Sequence, residues 1–335
     1  MASDLSVNYD VLPVPVDEHL TCVLAVVLKI DPHLARDRVW PPLGQSDARG
    51  HGLTIGLVTY AVFEERRLAE IYDPLDPDRS DLEVYAALVE EFGARTVLDI
   101  GCGTGTFACL LAVRGIGVVG VDPAGASLDV ARAKPGADRV RWIHGDATML
   151  PPLRVDLATM TANVAQVFLA DGDWASTLCG VHAALRRGGR LVFETRDPAR
   201  QAWRTWDREH SFNCVDIPKV GTVETWVEVT DVSGKFVSFR HTFVFEKDRT
   251  VLTSDSTLRF RDREEVASSL LAAGFLVEEV RDAPDRPGRE LVFVAMRADA
   301  FPNAARSGTT AGQEDEAGKG GTATRVTIYD SGDAE

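Results

Sequence analysis

Three aspartates follow three short apolar runs of this 335-residue chain at regular spacing. Asp99 lies just before the glycine-rich segment 101–105, Asp122 closes the next apolar run, and Asp146 follows the third. Glycines let the backbone turn sharply and approach a ligand, and the free N–H groups where a helix begins favour a negatively charged group. A carboxylate about 20 residues after the first glycine is placed to accept both hydroxyls of a ribose. The third carboxylate can accept the exocyclic amine of an adenine, so the pattern indicates a nucleoside-containing ligand.

Alternating strand and helix patterns surround these residues. Short β-branched runs predict five strands, at 96–100, 117–121, 140–143, 155–160 and 190–193. Helical spacing of apolar residues predicts helices at 81–92, 107–114, 126–133 and 174–185. This alternation indicates an open, doubly wound parallel sheet, in which right-handed crossovers bring the loops after the strands to one edge.

The end of the sheet carries a reversal of direction. A helix is predicted over 262–273, ended by Gly274, and two further strands follow at 276–280 and 291–296. The turn at 284–288 between these strands is too short for a crossover helix, so the last pair is antiparallel. The sequence therefore predicts an α/β fold whose sheet closes with one reversed strand.

An insertion precedes the last helix. Between about 220 and 260, apolar and polar residues alternate, as in Val223, Val227 and Val229 against Glu224 and Glu228. Ser-Gly and Asp-Arg pairs mark turns, which predicts three antiparallel strands over this stretch. This small sheet is expected to cover the substrate, and its outer face could form a homodimer; the alternative is a purely structural elaboration.

Composition narrows the classes of partner. Lys and Arg total 36 against 51 Asp and Glu, a formal net charge of −15, so binding to nucleic acid or to anionic membranes is disfavoured. The five cysteines form no CxxC pair, so neither a disulfide framework nor a metal site is expected. No targeting segment is evident, which predicts a cytoplasmic protein.

The two ends of the chain differ from its centre. Residues 1–65 carry several prolines and no motif, and they are expected to form an irregular extension ahead of a domain at 66–300. Residues 301–335 are rich in Gly, Ala, Thr and acids, and they contain neither Leu nor Trp. Such a tail buries too little apolar surface to offset its ordering entropy, so it is expected to be disordered.

Three segments together resemble one enzyme family. LDIGCGTGT at 98–106, VGVDPAGASLDVARA at 119–133 and HGDATMLP at 144–151, in this order, are similar to the first three motifs of class I S-adenosylmethionine-dependent methyltransferases. The resemblance covers about two-thirds of the chain. It implies a Rossmann-like, seven-stranded sheet with a reversed last strand, S-adenosylmethionine as the cofactor, and no metal. The insertion resembles the lid sheet of small-molecule N-methyltransferases.

The resemblance also implies which residues hold the cofactor. Asp99 and the glycine segment would hold the methionine moiety, Asp122 with Pro123 the ribose, and Asp146 with Ala147 the adenine. The full implied set is Tyr72, Asp99, Gly101, Cys102, Gly103, Gly105, Asp122, Pro123, Asp146, Ala147 and Asn163. Asn163 would sit beside the sulfonium, and Tyr72 would close over the cofactor or simply pack.

The acceptor side is less marked. Glu194 and His241 are candidate catalytic groups that could accept a proton, and Arg196 could clamp a substrate carboxylate. Each has a structural alternative, a solvated loop for Glu194 and Arg196 and a buried strand histidine for His241. No Pro-Pro-Tyr or Pro-Pro-Phe follows the fourth predicted strand, so the triplet of nucleic-acid amino methyltransferases is missing.

We therefore expect methyl transfer to a nitrogen or oxygen of a small-molecule acceptor, with a slight preference for an amine. Two other functions stay open. A nicotinamide-dependent oxidoreductase also has a glycine loop and an acid after its second strand. A catalytically silent protein that only binds S-adenosylmethionine would keep the same three aspartates.

Overall fold

The computed structural model describes residues 60–298. Within this range the helices are α1 (Ala61–Glu64), α2 (Arg66–Leu75), α3 (Asp81–Glu91), α4 (Thr106–Val113), α5 (Gly125–Arg132), α6 (Asp171–Ala184), α7 (Arg208–Ser211) and α8 (Arg263–Ala272). The strands are β1 (Thr96–Ile100), β2 (Gly117–Asp122), β3 (Val140–His144), β4 (Val155–Met160), β5 (Leu185–Arg196), β6 (Asn213–Ile217), β7 (Gly221–Ser233), β8 (Phe236–Phe245), β9 (Thr250–Arg259), β10 (Phe275–Asp282) and β11 (Glu290–Arg297). Short 3₁₀ turns lie at Ala137–Arg139, Ala147–Met149, Val164–Val167, Pro198–Arg200 and Ala202–Thr205. The predicted tail at 301–335 and most of the predicted extension, residues 1–59, lie outside the described residues.

Seven strands form the main sheet, in the order β10-β11-β5-β4-β1-β2-β3. β1 pairs in parallel with β2 and β4, whereas β11 is antiparallel to both β5 and β10. The predicted reversal of the last strand is thus confirmed. The carboxyl ends of β1 to β5 lie along one edge, because these five strands run in the same direction.

The main sheet is buried on both faces. Successive residues of β1 point to opposite sides, so Val97 packs in the cluster with α3 and α4, while Leu98 packs in the cluster with α6 and α8. Trp174 of α6 and Phe193 of β5 are completely enclosed in the second cluster. A continuous apolar core on each face holds the strand ends rigidly in place.

The insertion forms a separate antiparallel sheet of four strands, in the order β6-β7-β8-β9. Three strands were expected, and the additional one is β6, which lies before residue 220. This strand has only five residues, so its alternation of apolar and polar side chains is short. Val215 and Ile217 pack in the apolar cluster that includes Leu68 and Ile71 of α2. The inner face of this sheet therefore packs against α2.

β5 is longer than the sequence indicates. The strand was expected over 190–193, with Gly188 and Gly189 ending the preceding helix, but β5 runs from Leu185 to Arg196. Its pairing with β4 shifts register after Leu185, so the glycines form an irregularity inside the strand. Glu194 and Arg196 consequently belong to β5 and not to a loop beyond it.

The boundary expected near residue 65 falls within the folded part. Glu64 accepts a hydrogen bond from the backbone N–H of Gly125 at 2.9 Å, and Ser127 donates to the carbonyl of Phe63 at 2.8 Å. α1 is thereby attached to the beginning of α5. No helix in the range 60–298 is long and apolar enough to cross a membrane.

Gly180 on α6 generates a stability prediction, because a Cβ at this position would overlap the carbonyl oxygen of Ala147. We expect Gly180→Ala to lower the free energy of unfolding by about 1–3 kcal/mol, since the two backbones must separate. Urea denaturation followed by circular dichroism measures the change. Gly172→Ala on the same helix is the control, because nothing lies within 4 Å of its added Cβ. Equal stability of the two variants would contradict the close packing.

Candidate active site

A cavity of about 150 Å³ lies at the carboxyl edge of the main sheet. Its walls come from the segments that follow β1, β2, β3 and β4, and Tyr60, Phe63 and Tyr72 close it from the amino-terminal side. The cavity therefore runs along the sheet edge from the end of β3 to the end of β4. This is the place where open α/β sheets bind ligands.

The glycine segment forms the floor of the cavity. Gly101 and Gly103 line it together with Cys102. Gly101 has φ +67°, and a Cβ there would lie 2.6 Å from the side chain of Val164, so only glycine allows the loop after β4 to approach this closely. Gly105 does not line the cavity; a Cβ on it would meet the ring of Trp142 at 2.5 Å.

Asp122 connects β2 to the glycine segment. One carboxylate oxygen accepts from the N–H of Gly103 and the other from the N–H of Ala124, both at 2.8 Å. The side chain is only 7% exposed, and burial raises the pKa of its carboxyl despite these hydrogen bonds. Asp122 and Pro123 both line the cavity, where the second lone pair of each carboxylate oxygen can accept a ligand hydroxyl.

Asp146 lies at the far end of the cavity, after β3. Its carboxylate accepts from the N–H of Thr148 at 2.8 Å and caps the turn Ala147–Met149. Asp146 and Ala147 line the cavity wall. The structure thus brings the adenine candidates to the same cavity as Asp122.

Asp99 occupies a different position from the other two aspartates. It is buried inside β1 and does not line the cavity. Thr159 donates to one of its oxygens at 3.1 Å, while the other oxygen has no hydrogen-bond partner. Burial, reinforced by the nearby charge of Asp122, raises the pKa of Asp99 to about 7.

Asn163 also lies behind the cavity wall and does not face the cavity. Its neighbours Ala162 and Val164 line the cavity, whereas the side chain of Asn163 points to Glu290 and is 3% exposed. Ala162 and Asn163 have φ values of +55° and +62°. Left-handed backbone at two consecutive non-glycine residues costs about 1–3 kcal/mol each and requires support from the surroundings.

Tyr72 lines the cavity from α2, and its neighbour Asp73 anchors that helix to the glycine segment. Asp73 accepts from Thr104 at 2.7 Å and from Thr106 at 3.1 Å, and it forms an ion pair with Lys134 at 2.6 Å. Burial raises the pKa of the Tyr72 phenol, so the hydroxyl stays protonated. Tyr72 is held in place by these contacts of its own helix.

Among the cavity residues that the sequence did not indicate, three come from the segments ahead of β1. Arg79 contributes a guanidinium to the wall, and Tyr60 and Phe63 contribute aromatic rings. Tyr60, Phe63 and Arg79 come before the glycine segment and form no recognisable sequence motif. Only the packing of α1 and of the segment before α3 shows that they reach the cavity. Among the described lining residues, Arg79 is the one Lys or Arg, and its guanidinium interacts with Tyr72.

The acceptor-side candidates do not line the cavity. Glu194 is buried and bonded to Tyr85 and to the backbone N–H of Asn163. His241 lies on β8, where Thr225 is 2.7 Å from its Nε2 and burial lowers the pKa of the imidazole to about 4. Arg196 donates to Gln166 at 2.9 Å and stacks over Trp206. The roles proposed for these three residues stay predictions.

Comparisons with known proteins agree with this geometry. Residues 97–189 match a family described as a methyltransferase domain. The cypemycin N-terminal methyltransferase of a Streptomyces species is 35% identical over 106 residues, which are 31% of this chain and 43% of that relative. The ubiquinone/menaquinone biosynthesis C-methyltransferase UbiE of Rubrivivax gelatinosus is 29% identical over 60% of this chain and 70% of its own. The chain spans less than half the length of the first of these curated relatives.

The solved structures show the same fold. The sugar N-methyltransferase KedS8 from a Streptoalloteichus species aligns with a TM-score of 0.57 at 19% identity, over 78% of this chain and all of its own. At that identity the likeness shows the fold alone. The expected fold class is thereby confirmed, and the methyltransferase resemblance is confirmed for residues 97–189.

Asp99 generates a pH prediction. Its pKa is about 7 in the folded protein and about 4 when unfolded, so the folded state binds the extra proton between these values. Stability from this group is therefore present at low pH and is lost as the pH rises towards 7. Asp99→Asn removes this titration. The free energy of unfolding of the variant minus that of the wild type should therefore increase from pH 4 to pH 7 and stay constant above pH 7.

Urea denaturation at several pH values measures this difference. Asp129→Asn is the control, because this side chain is 80% exposed on α5. A difference between Asp99→Asn and wild type that stays constant from pH 4 to pH 8 would show that Asp99 does not carry a raised pKa.

Proposed function

We propose that this protein transfers the methyl group of S-adenosylmethionine to the amine nitrogen of a small-molecule acceptor. The observation that carries the proposal is the cavity itself, where Asp122, Asp146 and the glycine segment meet along one sheet edge. The acceptor class is argued from the groups at the end of β4.

The residues present fit S-adenosylmethionine. Asp122 keeps free lone pairs in the cavity, and a Cβ at Gly103 would meet no atom within 4 Å, so the floor is open to a ligand there. Arg79 pairs with Asp81 through Nε and Nη2, at 3.1 and 3.3 Å, and offers its remaining nitrogen, Nη1, to a ligand carboxylate. One oxygen of the buried Asp99 has no hydrogen-bond partner. We assign Asp122 to the ribose, Asp146 and Ala147 to the adenine, and Arg79 to the methionine carboxylate.

The protein contributes position and exclusion of water. When bound, S-adenosylmethionine supplies an electrophilic methyl group on a sulfonium. This group carries no proton to remove, so the main demands on the protein are alignment of the acceptor and desolvation. Tyr60, Phe63 and Tyr72 cover the cavity with aromatic surface, and Val164, Val167 and Phe168 make its wall beyond β4 apolar.

An amine is favoured over an alcohol because this wall offers no base. Thr161, Ala162, Val164, Val167 and Phe168 line the cavity after β4, and none of them carries a carboxylate or an imidazole. A hydroxyl needs a base within hydrogen-bond reach to attack, whereas an amine attacks once it enters in neutral form. KedS8, which is named as a sugar N-methyltransferase, supports the same choice.

Three further expectations belong to this proposal and keep the status of predictions. They are a cytoplasmic location, a homodimer through the second sheet, and the absence of nucleic acid among the partners. Exposed residues of that sheet form polar pairs, such as Arg240 of β8 with Asp255 of β9, joined at 2.7 Å.

Cofactor binding is the first test. Calorimetric titration with S-adenosylhomocysteine should give micromolar affinity, and Asp122→Ala should weaken it at least tenfold, because two loop N–H groups lose their acceptor and the ribose loses its partner. Asp122→Asn keeps an oxygen for one of these bonds and should fall in between. Asp129→Ala, an exposed change, should bind like wild type.

NAD serves as the control ligand in the same titration. Binding of NAD without binding of S-adenosylhomocysteine would replace the methyltransferase proposal by the oxidoreductase alternative. Equal affinity of Asp122→Ala and wild type would contradict the assignment of Asp122.

The acceptor is tested with matched pairs of an amine and an alcohol. We expect label from methyl-tritiated S-adenosylmethionine to enter glucosamine or benzylamine at least tenfold faster than glucose or benzyl alcohol, because the wall after β4 lacks a base. With an amine, the rate should rise with pH as the amine loses its proton. Faster labelling of the alcohols would contradict the amine proposal, and no transfer to any acceptor in a broad amine screen would favour the silent binding protein.

A further inference from the structure

Behind the loop that follows β4 lies a buried group of charged and amide side chains. Glu194 of β5 and Glu290 of β11 are 5% and 3% exposed. The two strands are neighbours, with Val292 opposite Glu194 and Arg196 opposite Glu290. The carboxylates therefore approach the same side of the loop from adjacent strands.

Both carboxylates bind the same residue. The backbone N–H of Asn163 donates to Glu194 at 3.1 Å, and the side-chain amide of Asn163 donates to Glu290 at 3.1 Å. Tyr85 holds Glu194 from the other side, and Arg286 donates to Glu290 at 2.9 Å. Asn163 is thus held by two strands of the main sheet at once.

A second attachment lies three residues further along the loop. Gln166 is 1% exposed, and its side-chain oxygen accepts from Arg196 at 2.9 Å. Its backbone N–H donates to the carbonyl of Asn163 at 2.9 Å. Arg196 in turn lies 3.8 Å from Glu290, so both attachments belong to one network.

The network supports a backbone that would otherwise be unfavourable. Ala162 and Asn163 are both left-handed, and such residues persist only where their surroundings determine the conformation. Thr161, Ala162 and Val164 of this loop line the cavity, and Val164 packs against Gly101. The shape of the cavity wall after β4 therefore depends on Asn163.

We propose that Glu290 and Glu194 are positioning residues that clamp Asn163 and thereby shape the acceptor end of the cavity. This assigns Glu194 a role different from proton acceptance. Its carboxylate is separated from the cavity by the loop, and its bonds to Tyr85 and to Asn163 are already formed. The expected effect of the clamp on methyl transfer rests on the proposed function, whereas its effect on the structure of the loop does not.

Hydrogen exchange tests the clamp without any acceptor. In Glu290→Leu, and more strongly in Asn163→Asp, we expect the amides of residues 160–168 to exchange at least tenfold faster. In Glu290→Leu the side-chain amide of Asn163 loses its acceptor, and in Asn163→Asp Glu290 loses its donor and faces a further carboxylate. Glu290→Gln retains an oxygen for Asn163 and Arg286 and should restore most of the protection. Glu279→Gln on neighbouring β10 is the control, since that side chain is 55% exposed.

Binding and turnover separate positioning from a general loss of structure. Affinity for S-adenosylhomocysteine should stay within threefold of wild type in Glu290→Leu, Glu290→Gln and Glu279→Gln, because the Asp122 side of the cavity is unchanged. With glucosamine or benzylamine as the acceptor, kcat should fall at least tenfold in Glu290→Leu and recover in Glu290→Gln.

The outcomes are distinguishable. If Glu290→Leu does not fold, Asn163→Gly replaces it, because it removes the side-chain donor and relieves the left-handed residue. Unchanged exchange of residues 160–168 in Glu290→Leu or its replacement, and in Asn163→Asp, overturns the clamp. Exchange that accelerates as expected, in a protein that transfers no methyl group, leaves the clamp standing and refutes the proposed function.

Discussion

Burial of carboxylates at the carboxyl edge of a parallel sheet is the constraint on which this site depends. Asp99, Asp122, Glu194 and Glu290 are each less than one-tenth exposed. A buried carboxylate is costly unless it finds hydrogen-bond donors or a proton. Asp122 accepts from the N–H groups of Gly103 and Ala124, while Glu194 and Glu290 each accept one hydrogen bond from Asn163. The loops after β1 and β4 therefore each donate to a buried carboxylate on a neighbouring strand.

The amino-terminal helices complete the enclosure by joining the two sheets. The backbone N–H of Val62 donates to Ser254 of β9 at 3.0 Å, and Glu64 accepts from Gly125 at the start of α5. Asp73 adds a third attachment, to the glycine segment itself. A short stretch before the main sheet thus joins the insertion to the main sheet, and it supplies aromatic rings to the cavity wall.

The order of the main sheet separates the groups that we propose for the cofactor from those that we propose for the acceptor. β3 and β2 carry Asp146 and Asp122, and these lie on the side of β1 away from β4 and β5. The loop after β4 lies next to β5 and β11, whose Glu194 and Glu290 hold it from behind. The proposed cofactor side is therefore fixed by hydrogen bonds from backbone N–H groups to Asp122, and the proposed acceptor side by the carboxylates of β5 and β11.

The amino-acid sequence alone determined the parallel strands, the reversed last strand and the positions of Asp122 and Asp146, because these depend on local periodicity and on short motifs. It did not reveal that β5 continues through Gly188 and Gly189, since a register shift against β4 depends on the partner strand. The cavity contacts of Arg79, and the enclosure of Asn163 behind the wall, likewise arose from residues far apart in the chain. Only tertiary packing decided these, because whether a polar side chain faces a cavity or a buried partner depends on which strands become neighbours.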